Sequence, residues 1–218
     1  MGYELVIFDN DGVLVDSEPI SNAILAEYLT ELGHPTTYEE SVRDYMGAAL
    51  HRVHDTVLER SGRRLPAEFD RAFQARVFAA FERELKAVSG AREVLEGLRG
   101  RGVRYCVASS GSHERIRVGH RVAGLDPFFD DATIFSAEDV RKGKPAPDLF
   151  HHAGRVMAAP PERCVVIEDS GLGVQAALAA GMTVLGYTAM TPPERLAGAT
   201  ALFDDMKELS GLLAELGL

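Results

Sequence analysis

Short apolar runs rich in β-branched residues alternate with apolar stripes at helical spacing over most of the chain. Residues 3–8 (YELVIF), 103–108 (VRYCVA), 164–167 (CVVI) and 183–187 (TVLGY) predict strands, with a short fifth run at 201–203. The first and third are apolar almost throughout, the pattern of strands covered on both faces in a parallel sheet. Between them, 90–100 places Val94, Leu95 and Leu98 on one helical face. Further helices are predicted at 148–157, at 171–180 (closed by Gly181) and at 206–216, whose stripe is Leu209, Leu212, Leu213 and Leu216. Alternation of this kind predicts an open α/β sheet with right-handed crossovers.

The segment 17–86 breaks that rhythm. It holds no convincing strand run, only helical stripes: 17–33, with Ser17 as a cap and Ile20, Ile24, Leu25, Tyr28 and Leu32 inward; 50–60, with Val53, Val57 and Leu58; and a third carrying Phe69, Phe73, Val77, Phe81 and Leu85. The expected organisation is a core domain, 1–15 and 88–218, interrupted after its first strand by a helical domain, 16–87.

A length of 218 residues fits this one-and-a-half-domain plan. Charge narrows the partners: 23 basic against 33 acidic residues give −10, which argues against nucleic acid, whose phosphates are bound through basic surface. Cys106 and Cys164 lie far apart in apolar runs and suggest neither a disulfide framework nor a zinc site. Residues 171–193 carry no charge, but Gly173, Gln175, Gly181, Thr183 and Gly186 interrupt them, so they read as helix, turn and strand rather than a membrane span. With no secretory pattern at the start, a soluble cytoplasmic protein is expected, a monomer or small homo-oligomer with no membrane partner.

Ligands of open α/β sheets bind beyond the carboxyl ends of the strands. Asp9-Asn10-Asp11-Gly12 follow the first strand, Ser109-Ser110-Gly111 the second and Glu168-Asp169-Ser170 the third, which a loop with Lys142-Gly143-Lys144-Pro145 precedes. Each alone reads by default as a turn, a cap or a surface charge. Together they gather acids, a hydroxyl and an ammonium at one end of one sheet. Because strand period is two, Asp9 and Asp11 point to the same side of an extended chain.

Residues 8–17 (FDNDGVLVDS), Ser109 closing an apolar strand, Lys144 in Lys-Pro-Ala-Pro-Asp, and Glu168-Asp169 resemble, in order, the four motifs of the haloacid dehalogenase (HAD) superfamily. The resemblance spans the chain, including a helical cap of the C1 type, and implies a Rossmann-like parallel core. It is similar to the branch of phosphoglycolate phosphatase, sugar-phosphate phosphatases (including those acting on 6-phosphogluconate) and β-phosphoglucomutase. It implies that Asp9 is a nucleophile forming an aspartyl-phosphate and Asp11 the general acid and base. Ser109 and Lys144 would hold the phosphoryl group, with backbone N–H groups near Asp11, Gly12 and Ser110 completing the cradle. Mg2+ would be held by Asp9, the Asp11 carbonyl, Asp169 and Glu168. A hard, oxygen-seeking ion suits such a set, because a carboxylate needs its approach to an anionic ester screened.

The implied substrate is a small phosphorylated metabolite, a sugar phosphate or a phosphorylated short acid. Residues 16–18 and 88–90 are the expected cap hinges, Gly47 lies in a loop resembling the specificity loop, and His51, Arg52 and Arg76 are candidates to reach the leaving group. Where β-phosphoglucomutase has a cap histidine and arginine, this chain has Ser21 and Leu50, which favours hydrolysis over a phosphomutase. An acid at Asp11 speaks against dehalogenation, which needs no leaving-group proton. A catalytically silent phosphometabolite binder is disfavoured because every motif residue is present. His113, His151 and His152 lack metal-ligand spacing and are expected to be exposed on helices.

Overall fold

A computed structural model describes residues 2–218. Six parallel strands form one sheet: β1 (Leu5–Phe8), β2 (Arg104–Ser109), β3 (Ile134–Ser136), β4 (Cys164–Glu168), β5 (Thr183–Tyr187) and β6 (Ala201–Phe203), in the order β3-β2-β1-β4-β5-β6. The strand order reverses at β1, between β2 and β4. In register, Phe8 stands beside Val107 on one side and Ile167 on the other, so the residues after β1, β2 and β4 emerge at one edge. That crevice is where such sheets bind ligands.

Period-two alternation divides β1 between two cores. Val6 and Phe8 join Val107, Val165 and Ile167 on one face, covered by α5 (Ala91–Gly100), α6 (His113–Ala123) and α9 (Leu209–Glu215). Leu5 and Ile7 join Cys106, Ala108, Val166 and Val184 on the other, covered by α7 (Asp148–Val156) and α8 (Gly171–Ala179). Both cysteines are free and buried. No helix of the described residues is long and apolar enough to cross a membrane.

Several elements differ from the sequence expectation. β3 has only three residues, too few for a period to show. α6 (HERIRVGHRVA) is so rich in charge that its buried face reduces to Ile116, Gly119 and His120. An eight-residue helix, α2 (Tyr38–Tyr45), was equally hidden, although Thr37 and Glu40 make a reciprocal capping box at its start. Ser17 precedes α1 (Glu18–Glu31), yet its side chain makes no cap; its hydroxyl donates to Asp11 Oδ1 at 2.6 Å. Gly90, expected inside α5, sits just ahead of it at φ 89°.

Between β1 and α5 lie α1, α2, α3 (Leu50–Ser61) and α4 (Phe69–Glu84). Tyr28 of α1 stacks on Phe69 of α4 (5.2 Å between centroids, 1° between planes), and Phe69 on Phe73. α4 also packs against α6, so one apolar cluster runs from the sheet into these helices. The outgoing and returning chains run side by side: Asp16 N–H donates to Lys86 O and Val88 N–H to Leu14 O, both at 2.9 Å.

Candidate active site

The loop after β1 delivers Asp9 and Asp11, and its tight path depends on Gly12. That residue has φ 81°, and a Cβ there would lie 2.1 Å from Asp169 Oδ2, so glycine alone lets the loop press against the loop after β4. Gly173 is equally constrained: a Cβ would fall 1.8 Å from Glu168 Oε1. Ser170 caps α8, its hydroxyl accepting from Gly173 N–H at 3.0 Å and donating to Glu168 Oε2 at 2.9 Å. Glu168 is thereby fixed on one oxygen by α8, while its other oxygen accepts from Lys144.

Lys144 also donates to Asp9 Oδ1 at 2.7 Å, and its side chain is 2% exposed. Burial works against its charge, but Asp9 and Glu168 outweigh it and push the ammonium above its usual range. Asp9, Glu168 and Asp169 each place a carboxylate oxygen within 4.8 Å of the others, all buried. Burial, with Glu168 and Asp11 adding to it against Lys144, pushes Asp9 up to about 8. Asp169 is driven well above the carboxylate range by burial, Asp9 and Glu168. One ammonium cannot balance three buried carboxylates, so the donor set fits a hard divalent cation.

Asp11 is held differently. Its Oδ1 accepts from Ser17 and from both Nε and a terminal nitrogen of Arg115 (3.0 and 2.6 Å), while Oδ2 has only longer contacts, Asn10 at 3.2 Å and Ser109 at 3.4 Å. Burial raises its pKa, but Arg115 outweighs this, helped by Ser17 and Asn10, and holds it at about 2. Behind Asn10, His120 Nε2 lies 2.9 Å from the amide oxygen, and the ring is buried.

A cavity of about 290 Å3 opens above these groups, between the strand ends and the inserted helices. Asp9, Asp11, Gly47, Ser109, Ser110 and Lys144 line it, whereas Glu168 and Asp169 are outside its lining, buried next to Asp9. Gly12 does not offer its N–H to a ligand; it donates to Val15 O at 2.9 Å. The three residues of the inserted helices expected to reach the leaving group, His51, Arg52 and Arg76, are absent from the lining. Arg76 is clamped by both oxygens of Glu31 and lies over the Tyr28 ring. Arg52 donates to Asp44 O, and His51 is exposed to solvent on α3. His113 was expected exposed near a helix start; it stands there half-buried and pairs with Asp139 at 2.8 Å.

A family model described as haloacid dehalogenase-like hydrolase matches residues 3–181. The chain belongs to that family. A curated relative, 6-phosphogluconate phosphatase of Escherichia coli, is 32% identical over 187 residues, covering 85% of this chain and 83% of its own. Among solved structures, a conserved haloacid dehalogenase-like protein of unknown function from Agrobacterium tumefaciens aligns over 100% of both chains at 33% identity and TM-score 0.84. A HAD family hydrolase from Deinococcus radiodurans, with bound phosphate and sodium, aligns over 99% of this chain and 97% of its own at 34% identity and TM-score 0.79. The hydrolase is thus an enzyme with named phosphatases among its relatives.

Gln74, Glu138 and above all Arg115, all in the hydrolase's cavity, escaped the sequence reading, while Glu18 entered it only as a hinge residue and Ser21 only as a departure from the mutase pattern. One signal could have found Arg115. It stands at the third position of α6, where the positive helix end disfavours a cation, and such a placement calls for an anionic partner. Glu18 is visible only in three dimensions: burial and Asp11 push its carboxyl up to about 7, and Asn22 Nδ2 donates to it at 2.8 Å.

Proposed function

We propose that the hydrolase is a magnesium-dependent phosphatase of small phosphate monoesters, acting through a phosphoryl group carried on Asp9. The observation that carries this reading is the buried Asp9–Glu168–Asp169 triangle with Lys144 inserted on Asp9 and Glu168. Asp9, Asp169, Glu168 and the Asp11 carbonyl would hold Mg2+, which when bound screens charge between the carboxylate and the ester. Asp9, facing the cavity, attacks phosphorus; the bond from phosphorus to the leaving oxygen breaks as the bond to Asp9 forms. Lys144 and Ser109 steady the phosphoryl oxygens, and positioning with charge stabilisation supplies most of the rate.

Asp11 manages the proton. Ser17 and Arg115 saturate its Oδ1 and keep the carboxylate ionised before substrate arrives, so Oδ2 takes up the proton of a monoanionic ester, gives it to the departing oxygen and later takes one from the attacking water. The segment 16–87 acts as the cap, hinged at 16–18 and 88–90, and excludes water when closed. Leu50 and Ser21, both lining the cavity, provide no second phosphate clamp, so release of phosphate is favoured over its return to a sugar. Asp9→Asn is expected to fold with an unchanged circular dichroism spectrum and to release no phosphate from p-nitrophenyl phosphate with Mg2+. Retained turnover would sink the mechanism.

A further inference from the structure

Beyond the phosphoryl site, the cavity is poor in positive charge. Its two cations are already committed, Lys144 to Asp9 and Glu168, Arg115 to Asp11 and the Ser21 hydroxyl (2.9 Å). The wall facing the leaving group carries two carboxyls, Glu18 within and Glu138 at the exposed mouth. Glu18 is fixed by Asn22, whose amide oxygen accepts from the buried Ser41 hydroxyl at 2.9 Å, so a built hydrogen-bond chain aims it inward. In neither protonation state does Glu18 offer positive charge. Arg52, Arg76 and His51 face elsewhere, as described above. The rest of that wall is apolar (Leu25, Tyr45, Leu50, Val53 and Phe73), with Ser21 and Gln74 as hydrogen-bonding points.

We propose that this pocket selects monoesters with an uncharged, hydroxylated leaving group, a sugar or sugar alcohol bearing a single phosphate, and rejects phosphorylated acids and bisphosphates. The inference rests on the phosphatase reading and deepens it. A second anion would lie beside the carboxyls of Glu18 and Glu138 with no cation free to meet it, a juxtaposition that selects against such a substrate. A hydroxyl in the same place gains a strong bond to Glu18. The apolar wall matches the carbon face of a sugar.

Matched pairs test this on the full chain with Mg2+. Sorbitol 6-phosphate and 6-phosphogluconate differ at one terminal carbon, hydroxymethyl against carboxylate; fructose 6-phosphate and fructose 1,6-bisphosphate differ by one phosphate. The neutral member of each pair is expected to have kcat/KM higher by about tenfold or more. Glu18→Gln, read as the ratio within a pair so that any overall loss of activity cancels, is expected to narrow the gap. Equal or reversed ratios, with p-nitrophenyl phosphate still cleaved, overturn the inference and leave the phosphatase reading standing. No phosphate from any of the five esters overturns the phosphatase reading and this inference with it.

Discussion

At the scale of single residues, Arg115 determines how Asp11 is presented. Its guanidinium grips Oδ1 through two nitrogens, and both side chains are largely buried, at 15% and 14% exposure. Arg115→Met would leave Oδ1 with Ser17 alone and free the carboxylate to turn. A loss of roughly 2–3 kcal/mol in denaturant unfolding is expected, with kcat down by at least about tenfold, because a hydrogen bond to a buried charge is lost. Arg115→Lys, with a cation but no fork, should recover stability better than rate. Unchanged kcat in the Met variant would remove Arg115 from any positioning role. The partnership was not legible in the sequence because 104 positions separate the two residues. Asp9, Asp11, Glu168 and Asp169 were legible because each ends or follows a strand whose apolar run is unmistakable, and Lys144 through its Lys-Pro-Ala-Pro-Asp setting.

His120 gives a pH signature of its own. Burial holds its ring down at about 4, its Nε2 meets Asn10, and its Nδ1 is buried without a partner among the described residues. A folded-state pKa below the unfolded one means that, as pH falls from about 6.5, the unfolded chain takes up the proton first. Stability from this group is therefore complete above about 6.5 and lost progressively down to about 4, on the order of 3 kcal/mol in all. Wild type should show that decline in urea melts across this window. His120→Phe, whatever its absolute stability, should show a shallower slope; equal slopes would mean that His120 titrates normally in the fold.

At the scale of elements, long strands and strongly striped helices declared themselves, whereas β3, α2 and all of α6 beyond its start did not. Their burial comes from neighbours: three residues of β3 pair with β2, and α6 is held between the sheet and α4. No local period records such support. The contact of the inserted helices with the core is likewise tertiary. Gly47, at φ 72°, lies where a Cβ would come within 2.8 Å of Ser170 Cβ, the residue that caps α8 and anchors Glu168. Gly47→Ala should hold the cap loop off Ser170 and raise KM for small esters several-fold. Gly62→Ala is the control: it too has positive φ, at 67°, but its Cβ would meet open space, so it should cost about 1 kcal/mol of stability and leave KM unaltered. Equal effects on KM would show that backbone strain, not the Ser170 contact, is responsible.

At the scale of the molecule, the net charge of −10 is partly concentrated where it costs most. Asp9, Glu168 and Asp169 are buried together against one ammonium, and no side chain among the described residues donates to the Asp169 carboxylate. Three carboxylates so placed disfavour one another, which lets the proposed metal's part in stability be separated from its part in turnover. Asp169→Asn removes one of the repelling charges, so in EDTA the variant should melt higher than wild type, the usual trade of function for stability. Mg2+ should reverse the order. Binding only the folded state, it adds about 2.7 kcal/mol at a hundredfold excess over Kd, and this gain should be large in wild type and lost in the variant. Thermal midpoints with and without Mg2+ read both effects with no substrate present. A variant that melts lower in EDTA and still gains from Mg2+ would place the ion elsewhere, and Asp169 would then be a structural carboxylate.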